Sequence, residues 1–438
     1  MRTGTRITAL AAVLLSGAAA CGGTSGGRDA ADKTPEPGRQ LAWLASVSRH
    51  LPISDADAKA HIASSTLTGF GGAAGLSKAL ARIGPLTAQS PAKTGRTVAA
   101  GWFTGAKGSA MFGMSAMDAS GRIAELTFDK QPASWNELDG RLRRLAPEVS
   151  FATAEIGRGG RCRIVHGVNE TTPRPLGSAF KLYVLGALSD AVAARQVTWD
   201  TPLAINDAWK SLPSGTFQNR AAGTKLTLAQ YADAMISGSD NTAADHLIHR
   251  LGRDAVERAV TRLGNEHRKA DSPFLTTREV FTLKGAGYPA AAHRYLSSSA
   301  GKRAAMLPAL DVVPLSAVTA WRKPRDIDTI EWFASPADIC SAFQGLSDRA
   351  AAPGQADLGH ALSLNDGGIG LDRKAYPTVW FKSGSEPGVL TANYLVRTSG
   401  GRTFVTSLML ANPKSGFPYS AELALLTLSR AGIQLAGA

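Results

Sequence analysis

The stretch Gly177-Ser178-Ala179-Phe180-Lys181 opens a run that continues Leu182-Tyr183-Val184-Leu185-Gly186-Ala187-Leu188. Side chains three apart on a helix lie one turn from each other on one face, so Ser178 and Lys181 point the same way. A helix this apolar belongs inside a protein rather than on its surface. The hydroxyl and the amine are therefore expected to be buried together. Desolvation favours the neutral form of an amine, and a neutral amine beside a hydroxyl can accept its proton as the oxygen attacks a carbonyl. Ser178 is the candidate nucleophile and Lys181 its base.

Two further stretches carry complementary chemistry. Thr227-Leu228-Ala229-Gln230 has the form of a capping box, starting a helix that reaches about Ile236 and ends at Gly238. A second helix carries Ala244, Leu247, Ile248 and Leu251 at helical spacing and stops at Gly252. Ser239-Asp240-Asn241 thus falls on a short loop between helices, where its side chains can enter a cleft; such a triplet alone is an ordinary helix cap. Near the C-terminus, Lys382-Ser383-Gly384-Ser385 follows the strand-like Val379-Trp380-Phe381.

Ser-x-x-Lys, then Ser-Asp-Asn, then Lys-Ser/Thr-Gly is the motif order of class A β-lactamases and penicillin-binding proteins, and the chain resembles that penicillin-recognising serine enzyme superfamily. From about Leu41 onward it resembles exported proteins that join a small isomerase-like domain to a β-lactamase-like domain, such as the cephalosporin-esterase-like protein of clavulanic acid biosynthesis. The segments Pro175 to Leu185 and Phe381 to Gly388 carry the likeness. It implies Ser178 as nucleophile, Lys181 as general base, Ser239 as the hydroxyl that passes a proton to the leaving group, and Asn241 as the amide that orients substrate. Lys382 is implied as the cation that eases proton transfer at Ser239 and attracts an anionic group. Ser385 offers a hydroxyl to a carboxylate, and Phe381, Ser383 and Gly384 line the substrate. The backbone N–H groups of Ser178 and Ser385 would form an oxyanion hole.

The class A pattern fails at one point. Its Glu-x-x-Leu-Asn, whose glutamate activates the water that releases the acyl group, occurs nowhere in this sequence. Between Gly264 and Ala375 the only glutamates are Glu266, Glu279 and Glu331, none in that context. The expectation is a serine hydrolase acting on β-lactam-like amides or esters with slow deacylation. A cell-wall D-alanyl-D-alanine peptidase and a non-catalytic ligand-binding envelope lipoprotein are the alternatives.

The remaining chain sets the frame. Its 438 residues, 44% hydrophobic, are enough for two or three domains. Arg2 and Arg6, the apolar Ile7 to Leu15 and the small residues before Cys21 read as a secretory signal on residues 1–21, too short to span a membrane. Ala20-Cys21-Gly22 also resembles a lipobox, which makes Cys21 a lipidation site and the membrane a partner through that anchor. Residues 22–39, including Thr34-Pro35-Glu36-Pro37-Gly38, cannot bury enough apolar surface to fold and read as a tether. The protein is expected outside the cell membrane, lipid-anchored or secreted.

Residues 40–133 read as a small α+β domain. Helical patterns at Leu41 to His50, Ser54 to Ile62 (capped by Ser54) and Ala73 to Ile83 precede strand patterns at Thr97 to Thr104, Ser109 to Met117 and Arg122 to Asp129. The layout resembles the cone-shaped fold of nuclear transport factor (NTF2) and steroid isomerase, with His61 and Asp118 its most available acid–base candidates. Residues 134–438 form the second domain. A helix at Asn136 to Leu145 leads into a hairpin of Phe151 to Ile156 with Arg161 to Val168, and helices follow at Thr277 to Lys284 and Ser335 to Phe343. Strands at Val389 to Arg397 and Thr403 to Leu410 and an amphipathic helix at Ala421 to Leu435 close it. The fold class is α+β, with a five-stranded antiparallel sheet flanked by helices and a helical insert.

A charge of +13 is scattered rather than gathered into basic runs with interleaved aromatics, so nucleic acid is not the expected partner. No Cys/His spacing fits a metal site; His246 and His249 read as surface or packing histidines, and nothing implies a cofactor. Cys162 and Cys340 could pair in an oxidising compartment, but their positions in sequence leave open whether they meet.

Overall fold

The computed structural model describes residues 37–437 apart from 91–92 and 158. The signal, Cys21 and nearly all of the tether lie outside the described residues.

The first unit opens with the helices Pro37–Val47, Asp55–His61, Ser64–Phe70 and Gly72–Ile83. Ser54 caps the second: its Oγ accepts from the Asp57 N–H at 3.1 Å. Three antiparallel strands follow, β1 (Val98–Thr104), β2 (Ala110–Met117) and β3 (Ile123–Lys130), with the two-residue strands Thr87–Ala88 and Lys93–Thr94 both paired to β1. Side chains alternate across a strand, and both faces of this sheet are covered. Ala99, Phe103, Met111 and Ile123 pack on the helices, together with Leu76 and Leu80. Ala100, Trp102, Phe112 and Met114 face the other way, onto Leu423 and Leu426 of the C-terminal helix.

The second unit begins with the helix Trp135–Leu145, capped by Ser134. Its sheet comprises β4 (Glu148–Ile156), β5 (Cys162–Val168), β6 (Thr378–Glu386), β7 (Val389–Arg397) and β8 (Thr403–Ala411) in the order β6-β7-β8-β4-β5, antiparallel throughout. Trp135–Leu145 and the C-terminal helix Tyr419–Leu435 cover one face. The helices Lys181–Ala193, Pro336–Ala350 and Ala356–Ser363 cover the other. Strand β6 is left as an edge, so its motif residues border the helical region built from Leu228–Ser237, Asn241–Leu251, Arg253–Arg262 and Thr277–Gly285.

Several elements run longer than their local pattern predicts. The helix expected to stop at Phe343 continues to Ala350, and β4 starts at Glu148 because that residue pairs with Ala411. Cys162 on β5 and Cys340 on the Pro336–Ala350 helix form a disulfide with a Cα–Cα distance of 6.2 Å. The units are joined by more than apolar packing: Trp102 Nε1 donates to the Gly368 carbonyl at 2.9 Å and Lys93 pairs with Asp366 at 2.6 Å. A cavity of about 560 Å³ remains between them, lined by Trp102, Phe112, Lys93 and Arg430 among others, and no motif residue borders it.

Candidate functional site

Ser178 lies in a 3-10 turn, Gly177–Phe180, that runs straight into the helix Lys181–Ala193. Residues Lys181 through Ser189 are all buried, because this helix passes through the middle of the molecule with no solvated face. Lys181 is carried inside with them, at 0% exposure. Its Nζ lies 3.1 Å from Ser178 Oγ, 2.7 Å from Asn241 Oδ1, 2.5 Å from the Ser239 carbonyl and 3.3 Å from Ser239 Oγ. Burial pulls the amine down to about 7, against a weaker upward pull from Asp240 and Asp245. Near neutral pH a substantial share of Lys181 is therefore an uncharged base, poised on the serine hydroxyl.

The Ser239 loop is shaped from below by Asp240. This carboxylate caps the Asn241–Leu251 helix through the Ala243 N–H at 2.8 Å and also accepts from the Thr216 and Phe217 N–H groups at 2.6 and 2.9 Å. Ser239 itself holds φ +52°, a left-handed conformation that costs a non-glycine residue on the order of 1 kcal/mol. The hydrogen bonds its carbonyl accepts from Lys181 and from Ser214 Oγ hold it there. Asn241 spans two partners: its Oδ1 faces Lys181, and its Nδ2 donates to the Leu212 carbonyl at 2.8 Å.

From the edge strand, Lys382 reaches Ser239 Oγ at 3.0 Å and the Ser383 carbonyl at 2.7 Å. Ser239 Oγ thus sits between two buried amines. Burial, and then the proximity of Lys181, drive Lys382 well below the usual lysine range. Behind it, Asn393 on β7 donates to the Lys382 carbonyl and accepts from Ser407 Oγ on β8. These two supporting residues were not singled out from the sequence, although a polar residue inside an otherwise apolar strand is the signal that marks them.

The nucleophile turn and the edge strand touch backbone to backbone. A Cβ added at Gly384 would lie 1.9 Å from the Leu176 carbonyl oxygen and 2.7 Å from the Ser178 nitrogen, and one at Gly177 would lie 2.7 Å from the Ser385 nitrogen. Gly177 also holds φ +50°. Two glycines are required here because any side chain would push apart the two nitrogens expected to bind an oxyanion. Ser383 is half-buried and Ser385 exposed along the same edge.

Phe381 departs from expectation. It is 2% exposed, its ring 4.7 Å from that of Tyr394, and it packs on Gly367 within the core shared with the C-terminal helix. Packed into that core, Phe381 does not line the substrate. Glu331 departs in the other direction: outside any recognised pattern, it is brought against the turn, where its Oε2 accepts from the Gly177 N–H at 3.1 Å. The candidates of the first unit do not converge on a site. His61 stacks on Trp43 and bonds Gln40, while Asp118 accepts from the Ser120 and Arg122 N–H groups of its own turn. His246 is a packing residue, accepting from the Asn206 N–H and donating to the Thr242 carbonyl.

Among solved structures, the chain is similar to a β-lactamase from Sphaerobacter thermophilus, at 21% identity and TM-score 0.48, over 69% of this chain and 98% of that one. A structure of PBP-A gives 17% identity and TM-score 0.47 over 69% and 98%. A β-lactamase from Francisella tularensis gives 16% and 0.48 over 68% and 98%. No curated protein sequence matches. The model of the β-lactamase enzyme family matches residues 146–435. Because that match takes in the whole second sheet and all three motifs, the chain belongs to the β-lactamase enzyme family, within the penicillin-recognising serine enzymes.

Proposed function

We propose that the protein is a serine acyl hydrolase that opens carboxylate-bearing β-lactam-like amides or esters through an acyl-enzyme on Ser178. The observation that carries this reading is the buried Lys181 amine, 3.1 Å from Ser178 Oγ and shifted to about 7. Neutral Lys181 takes the hydroxyl proton as Ser178 Oγ attacks the carbonyl, and the Ser178 and Ser385 N–H groups receive the developing negative charge. Ser239 Oγ, between Lys181 and Lys382, passes a proton to the departing nitrogen or oxygen. Lys382 has no carboxylate among its bonded partners, so a substrate carboxylate arriving beside Ser383 and Ser385 supplies the countercharge that keeps it protonated.

Release of the acyl group needs a second nucleophile, a water deprotonated on the right face of the ester. The four atoms bonded to Lys181 are hydroxyl, amide and carbonyl oxygens. Asp240 and Asp245, the carboxylates nearest it in charge, are taken up by backbone N–H groups. Deacylation is therefore slow. The exported signal, lipidation at Cys21, and a docking role for the NTF2-like first unit complete the proposal.

Intact mass after incubation with a penicillin tests it. A single adduct on the wild type, absent from Ser178→Ala, is the expected result; an adduct that persists in the variant would move the nucleophile elsewhere. With nitrocefin, stopped-flow traces should show a burst equal to enzyme followed by slow turnover. Sustained fast turnover without a burst would mean that an efficient deacylating base exists.

A further inference from the structure

Three buried charged side chains meet behind the nucleophile turn. Lys284 lies in the last turn of the Thr277–Gly285 helix, Glu331 precedes the short strand Phe333–Ala334, and Glu386 is the last residue of β6. Lys284 Nζ is 2.6 Å from Glu386 Oε1 and 3.8 Å from Glu331 Oε1, with side-chain exposures of 0% for the lysine, 3% for Glu331 and 5% for Glu386. Burial, with Glu386 alongside, pushes Glu331 upward. Arg325 also lies close by, donating to the Lys284 carbonyl and so facing the backbone.

The cluster lies one residue from each donor of the oxyanion hole. Glu331 Oε2 accepts from the Gly177 N–H at 3.1 Å and from the Trp332 N–H at 3.2 Å, and Gly177 immediately precedes Ser178. Glu386 immediately follows Ser385. We infer that Glu331, braced by Lys284 and Glu386, is a positioning residue that sets the separation of the Ser178 and Ser385 N–H donors and thereby the rate of acylation. This rests on the acyl-enzyme reading above. The physical need is clear from the turn itself. Gly177 has no side chain to restrict its peptide planes, and the Glu331 carboxylate is what its N–H is bonded to. Glu331, pushed toward its neutral form by burial, does this while adding little negative charge beside a developing oxyanion.

The test is acylation by a fluorescent penicillin, with the rate constant and the saturation constant measured separately, in full-length wild type, Glu331→Ala, Glu331→Gln and Glu331→Asp, with thermal melts alongside. Alanine removes the acceptor and should cut the acylation rate constant about a hundredfold while leaving the saturation constant nearly unchanged. Glutamine keeps an oxygen for the Gly177 N–H at the same reach, so it should restore the rate to within a few-fold of wild type. Aspartate keeps the carboxyl group but withdraws it by one methylene and should lose about tenfold or more; it decides the matter if the alanine variant does not fold. Wild-type rates in Glu331→Asp or Glu331→Ala, or a folded Glu331→Gln as impaired as alanine, would overturn the positioning role while leaving Ser178 acylation standing. A wild type that is never acylated would reject both.

Discussion

Lys181 has a serine hydroxyl within 3.1 Å and, among the described residues, no counterion in contact, which makes its protonation state the residue-scale determinant of the chemistry. The reactive form is the free amine, whose fraction grows as pH rises through about 7. Labelling of Ser178 should therefore rise between pH 5 and 9 with a midpoint near 7 and then level. A profile flat across that range would mean that another group takes the proton. Lys181→Met should lower labelling by roughly 10²–10⁴, the usual share of a general base. Gly384 sets a second residue-scale limit. A methyl there would stand 1.9 Å from the Leu176 carbonyl oxygen and 2.7 Å from the Ser178 nitrogen, so Gly384→Ala must part the edge strand from the nucleophile turn. Labelling should fall about a hundredfold, as for loss of one oxyanion donor, with the far-ultraviolet circular dichroism unchanged.

At the scale of elements, the Ser239 loop depends on Asp240, which fastens the Asn241–Leu251 helix to the segment around Thr216 and Phe217. Asp240→Ala leaves three N–H groups without their acceptor. It should cost about 1–3 kcal/mol in urea unfolding and depress Ser178 labelling in the folded protein, since Ser239 then loses the frame that holds it left-handed. Equal labelling in the variant would show that the loop keeps its shape without the cap. The disulfide acts on another pair of elements, tying β5 to the Pro336–Ala350 helix across a separation of 178 residues. Crosslinks closing long loops stabilise by about 2–5 kcal/mol; Cys162→Ser should lower the melting temperature accordingly, and the same result should follow from reducing the wild type.

For the whole molecule, the two units share a core instead of hanging on a linker. Trp102 is 2% exposed on the first sheet, bonds Gly368 of the second unit, and lies under the Arg430 guanidinium of the C-terminal helix at 4.1 Å. Its replacement by alanine should cost about 3–5 kcal/mol. Calorimetry of the wild type should show one cooperative transition, and Trp102→Ala should broaden or split it. An unchanged endotherm in that variant would mean that the units unfold independently.

Features governed by neighbours along the chain were legible in the sequence. The three-residue spacing that stacks Ser178 over Lys181, the Ser54 cap, the Thr227–Gln230 capping box and the strands on either side of Gly400 all follow from local geometry, and the structure carries them. The α+β class and the antiparallel sheet follow from the same periodicities. Convergence was legible only through the resemblance of motifs, because Lys181 meets Ser239 across 58 residues and Lys382 meets it across 143. Where no motif spoke, nothing local could. Phe381 stood beside the third motif in sequence, but which face of β6 the helices would cover was set by packing, and packing put Phe381 in the core. Glu331 reaches Gly177 from 154 residues away, and Cys340 reaches Cys162 from 178. Such meetings depend on strand order and on how helices seat against the sheet, which are set by burial summed over the entire chain and leave no trace in the few residues that finally touch.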